Sequence, residues 1–270
     1  FIALDVAAGD LLETAVAKAG ESYDSTPENW DLSKYVDMSN VYCAVYQEEL
    51  CGYMAGYAAV KMGYKNLGFL GGMAVPAVVR YGYGFVQGVD AAAADMGLTD
   101  VKVNYVYGGQ FFGDADITAV MDTWYQHDGV EVVFACGGGI YTSAVDAAKK
   151  ADAKVIGVDV DQVDVIGDES LTANIVTSFC KEYANVILEA FDQLVAGTYP
   201  GGTTLSLGLN EHGVGLVENE QYERLVPQEI RDSLTALYEK VKSGEIVPFS
   251  AMLDQEKWPE IRDEAAKPVE

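Results

Sequence analysis

Strand-like apolar runs and helix-period segments alternate along nearly the whole chain, and this rhythm limits the fold more than anything else in the sequence. FIALDV (1–6), VYCAVY (41–46), NLGFLGG (66–72), VKVNYVYGG (101–109), VEVVFACGGG (130–139), KVIGVDVD (154–161) and LTANIVTS (171–178) read as strands. Between them, segments near 10–19, 48–63, 75–96, 115–126, 140–151 and 181–197 carry apolar residues at helical spacing. Alternating β and α of this kind predicts parallel sheets covered by helices on both faces. The tail adds short strands near 204–208 and 214–217 and an amphipathic helix at about 227–243. One doubly wound sheet would have to hold all the strands in register, so two smaller lobes fit the usual domain size better.

Composition narrows the function. The 270 residues carry 42 acidic and 17 basic side chains, a net charge of −25. That surface disfavours nucleic acid, which needs basic groups for its phosphates. It also disfavours electrostatic attachment to anionic lipid. Partners are expected among neutral or cationic small molecules, or proteins. With only His127 and His212 present, a histidine-rich metal centre is out of reach. Cys43, Cys51, Cys136 and Cys180 form no C-x-x-C pair and sit in apolar stretches, as buried thiols do. Ser143 and Ser178 lack the G-x-S-x-G elbow, so no catalytic reading is favoured. No metal or cofactor is expected.

Ligands of parallel sheets bind outside the carboxyl ends of the strands, so the residues found there are the candidates. They are Asp5, the pair Gly71-Gly72, Phe111 with Phe112, Gly137 to Gly139, Asp159 with Asp161, and Lys181. Each has a plain alternative. Glycines at strand ends serve tight turns, aspartates cap helices, and Lys181 reads as a solvated lysine opening a helix against its dipole. The chain starts with a buried-strand pattern and no charged lead-in. It is therefore expected to be a fragment whose N-terminal element, with any targeting or lipid-attachment signal, lies upstream.

Several segments together resemble a known family. NVYCAVYQEELCGYMAGYAAVKMG (40–63), LGFLGGM (67–73), VFACGGG (133–139), VIGVDVDQ (155–162) and TSFCK (177–181) are similar to the basic membrane protein family, the lipid-anchored substrate-binding proteins of ABC importers whose best-known members receive purine nucleosides. The resemblance implies an α/β, periplasmic-binding-protein type I fold: two Rossmann-like lobes of parallel sheet flanked by helices, the first incomplete. It places the first lobe at 1–64 and 178–203, and the second at 65–177 and 204–270. It implies ligand contacts at Asp5, at Phe111 or Phe112 as the stacking aromatic, at Gly138, at Asp159 toward ribose, and at Lys181. It implies a purine nucleoside or related ribosyl ligand, ABC permease subunits as partners, and an extracytoplasmic, lipid-anchored location. A departure is Ala74, where the family often carries an acid after GGM. The alternative of a different class is a ligand-sensing receptor or regulator domain, which shares the fold.

Overall fold

The computed structural model describes residues 1–22, 31–35 and 37–250. Part of the polar insertion between 21 and 40 and the tail beyond 250 lie outside the described residues. The chain divides into two compact units, Phe1–Gln47 with Glu182–Gly213, and Glu48–Lys181 with Val214–Glu270.

The first unit holds β1 (Ile2–Leu4), α1 (Ala8–Lys18), β2 (Tyr42–Tyr46), α8 (Tyr183–Ala196) and β8 (Thr203–Leu207). Its three strands are parallel in the order β1-β2-β8. The central strand β2, YCAVY, is almost wholly buried, as the middle strand of a parallel sheet must be. The strand expected over residues 1–6 is confined to Ile2–Leu4, because Asp5 turns the chain with φ of 60°.

The second unit carries α2 (Glu48–Lys61), β3 (Asn66–Gly71), α3 (Pro76–Met96), β4 (Lys102–Tyr107), α4 (Ala115–Gln126), β5 (Val132–Cys136), α5 (Tyr141–Ala151) and β6 (Lys154–Asp159). It continues with the short helices α6 (Gln162–Ile166) and α7 (Glu169–Thr172), then β7 (Ile175–Lys181), β9 (Val214–Leu216), α9 (Glu220–Leu225) and α10 (Gln228–Lys242). The sheet order is β4-β3-β5-β6-β7-β9. The expectation of parallel pairing holds for five strands and is corrected at the sixth, since β9 runs antiparallel to β7.

Side chains on the two faces of this sheet form different cores. Phe69, Phe134 and Phe179 of the strands meet Tyr81 and Phe85 of α3 in a chain of tilted and edge-on rings. On the opposite face, Leu70, Val133 and Val155 join Met121 and Trp124 of α4 and Ala144 and Val145 of α5. Strand alternation sends neighbouring residues such as Phe69 and Leu70 into these separate cores.

Helices α2 and α3 touch backbone to backbone. Gly52 and Gly56 lie on α2, and Gly84 and Gly88 on α3, each pair spaced four residues apart on one helical face. A methyl group at any of them would land on a main-chain carbonyl of the other helix: those of Tyr81, Phe85, Glu49 and Tyr53 respectively. This contact assigns α2 to the second unit. In the same division β8 lies in the first unit, where it pairs with β2.

Candidate functional site

The second unit's chain leaves β3 for β4 on one side and returns to β5 on the other, so its topological switch point lies between β3 and β5. Open α/β sheets bind ligands in the crevice outside such a point. Three loops meet there and are stapled by backbone bonds. The Gly72 amide donates to the Cys136 carbonyl at 2.7 Å, the Gly109 amide to Gly72 at 3.0 Å, and the Gly139 amide to Phe111 at 2.7 Å. Phe112 and Gly139 also form an isolated parallel bridge.

Within this junction Phe111 and Phe112 part company. Phe111 is half-buried, its ring lying on Gly72 and Gly137. Phe112 is 61% exposed. Gly137 and Gly138 have φ of 133° and 52°, so both glycines are required by the turn itself. A side chain at Gly138 would also press on the Phe111 carbonyl oxygen, at 2.9 Å.

Asp159 ends β6 with φ of 67°. Left-handed backbone at a non-glycine residue costs energy and is concentrated at functional positions. The capping alternative fails, because the residue that caps α6 is Asp161, whose carboxylate accepts from the Val163 amide at 3.0 Å. The carboxylate of Asp159 instead pairs with Lys181 at 3.3 Å, its side chain 27% exposed. Asp5 departs from the capping reading in the same way. Asp10 is the carboxylate that reaches back to the start of α1, accepting from the Ala7 amide at 2.7 Å. Asp5 is exposed at the end of β1, where it accepts from the Tyr183 hydroxyl at 2.8 Å.

Lys181 is the main correction to the sequence reading. It does not open a helix. It is the last residue of β7, only 6% exposed, and α8 starts at Tyr183. Its ammonium lies 3.3 Å from both Asp159 and Glu48 and 5.6 Å from the centre of the Tyr81 ring. Glu48, fully buried at the start of α2, accepts in turn from Arg80 of α3 at 2.5 Å. Sequence reasoning missed both Glu48 and Arg80 as members of this cluster. The one available signal was that Glu48 lies within the family-like segment 40–63. Of the expected contact residues, Phe111, Gly138, Asp159 and Lys181 stand at neighbouring strand ends of the second unit, while Asp5 belongs to the first.

Glycine turns and a half-buried aromatic at the switch point, with an ion-paired carboxylate at the next strand end, are the arrangement of an α/β ligand-binding class of protein. Known proteins agree with this. A family model described as ABC transporter substrate-binding protein PnrA-like matches residues 23–247, and the chain belongs to that family, Bmp. The ABC transporter nucleoside-binding protein BmpA of Lactococcus lactis subsp. cremoris is 29% identical over 225 residues, covering 78% of this chain and 60% of that one. Basic membrane protein D of Borreliella burgdorferi is 31% identical over 179 residues, covering 65% and 49%. The chain thus spans about 60% or less of the length of these curated relatives.

Among solved structures, a solute-binding protein of an ABC transporter system from Aeropyrum pernix superposes with a TM-score of 0.68 at 23% identity, over 98% of this chain and 83% of that one. A transcriptional activator of the comK gene from Bacillus halodurans gives 0.64 at 22% identity, over 79% and 69%. Likeness at these identities concerns the fold alone, which is of the periplasmic-binding-protein type I kind. No helix among the described residues is long and apolar enough to cross a membrane.

Proposed function

We propose that this chain is the ligand-binding part of an extracytoplasmic receptor that captures a purine nucleoside, or a related ribosyl compound, for an ABC importer. The observation that carries the reading is Asp159. It is a strained, partly exposed carboxylate that caps no helix and sits with Lys181 beside the glycine junction covered by Phe111. A carboxylate there accepts two hydrogen bonds from a vicinal diol, as the acid of dinucleotide sites does from ribose. Phe111 offers an aromatic surface for a purine, with the exposed Phe112 as its rival for that role. Gly138 leaves main-chain groups open to close approach. Lys181 steadies the carboxylate, and Asp5 is the first unit's candidate contact. The nucleoside-binding name of the lactococcal relative supports the ligand class.

In this reading the chain acts by binding and release and catalyses no reaction. Its partners are permease subunits, and its tether to the membrane is a lipid. An uncharged ligand is indifferent to the protein's surplus of acidic groups.

Calorimetric titration of the intact protein with inosine, guanosine, adenosine and ribose tests the proposal. Nucleoside binding in preference to ribose is the expected result. Binding of ribose with no response to any nucleoside would remove the ligand assignment.

A further inference from the structure

The cluster behind Asp159 alternates in charge: Arg80, Glu48, Lys181, Asp159. Three of its members are buried, with Glu48 at 0%, Lys181 at 6% and Arg80 at 8% exposure. Buried ion pairs are weak sources of stability, because desolvation offsets most of the attraction. A chain of four is therefore poorly explained by stability alone. Its geometry is uneven in an informative way. Arg80 and Glu48 are in tight contact at 2.5 Å, whereas Lys181 stands 3.3 Å from each of two carboxylates. Charge-assisted contacts normally close to about 2.7–2.9 Å. Lys181 stands at the same distance from Glu48 and from Asp159.

Glu48 is fixed in place from two directions. It occupies the first turn of α2, where the helix dipole favours an anion. The glycine contact with α3 also sets how far α2 can stand from Arg80.

We propose that Glu48, backed by Arg80, is a positioning residue for ligand capture: by drawing the Lys181 ammonium toward itself it prevents Lys181 from closing on Asp159, and so keeps the Asp159 carboxylate directed at the ligand's hydroxyl pair. The inference rests on Asp159 being the diol-binding carboxylate. With Glu48 neutralised, Lys181 turns to Asp159, and the diol must compete with an ammonium for the same oxygens.

The test uses Glu48→Gln in the intact protein, with inosine and 2′,3′-dideoxyinosine titrated side by side. Inosine affinity is expected to fall about tenfold, the scale of one charge-assisted hydrogen bond, with dideoxyinosine affinity unchanged. A merely structural role would weaken both ligands equally, and that result overturns the proposal. Should Glu48→Gln fail to fold, Glu48→Gln with Arg80→Met removes the pair together and must give the same fall in the inosine to dideoxyinosine ratio. Asp159→Asn is measured in parallel. If it abolishes the preference for inosine while the Glu48 variants keep it, the positioning role is refuted and the site assignment stands. If Asp159→Asn also leaves the preference intact, Asp159 is not the diol carboxylate, and both readings fall.

Discussion

The contact between α2 and α3 makes a sharp prediction at Gly88. A methyl group there would overlap the Tyr53 carbonyl oxygen and lie 2.7 Å from its carbon. Carbon atoms in contact rest about 3.5–4.0 Å apart, so Gly88→Ala must push the helices apart by about 1 Å or distort one of them. Main chain faces the new methyl, so no rotamer change relieves it. The upper end of the usual overpacking cost, about 3 kcal/mol, is the appropriate figure. Alanine recovers about 1 kcal/mol through its better helix propensity. The net expectation is a loss of about 2 kcal/mol. Urea unfolding followed by Trp124, which lies in the second unit, measures it, with Trp30 and Trp258 replaced by Phe in the background. Gly56→Ala, whose methyl would fall on the Phe85 carbonyl, should behave alike. Combined, the two should cost less than their sum, because helices already spread by one methyl admit the second. An unchanged or raised midpoint for Gly88→Ala would show that the helices are not in main-chain contact and would remove the basis for assigning α2 to the second unit.

Other expectations concern single residues. Burial raises the Glu49 carboxyl from an ordinary value near 4.5 to about 7. Between those pH values the folded state keeps a proton that the unfolded chain releases, so stability falls by about 3 kcal/mol in all as pH rises through this window. Glu49→Gln should flatten that slope and be the more stable protein at pH 8, as read by urea midpoints across pH 4 to 8. Asp159→Ala should weaken nucleoside binding by about 1–3 kcal/mol in calorimetry while the chain stays folded, and unchanged affinity would make Asp159 a turn residue only. Phe111→Leu should lose about 1–3 kcal/mol of affinity for inosine and none for ribose, because only a base can stack.

The β/α alternation was legible because the inner strands of a parallel sheet are buried on both faces and so appear as unbroken apolar runs, as in VVFAC and YCAVY. The strand-end candidates could be named for the related reason that parallel sheets bind ligands outside the carboxyl ends of their strands. Strand β9, three residues long, carries too little pattern to reveal its antiparallel direction. Lys181 was misplaced because a charged residue ending an apolar strand reads as the first residue of the next helix. What holds it in the strand is pairing with Val214 of β9, and its ammonium meets Glu48; both partners are distant in sequence. The glycines at 52, 56, 84 and 88 are visible as spacings, but local pattern does not say that the two pairs face each other. Burial of Glu48 and Arg80 depends on that contact and was hidden for the same reason.

The left-handed turns at Asp5 and Asp159 bear on how this chain can diversify. Only glycine, asparagine and aspartate enter that conformation cheaply, and in the genetic code both alternatives are one base away from aspartate. Point mutation at either position therefore samples residues that preserve the turn while changing what the side chain offers a ligand: an amide that both donates and accepts, or nothing at all. At Asp159 such a change leaves Lys181 and Arg80 facing Glu48, an imbalance that selection must repair elsewhere. Asp5 accepts from the Tyr183 hydroxyl. Under the proposed function, single-base steps at either position change what the ligand meets while the turn that presents it is kept.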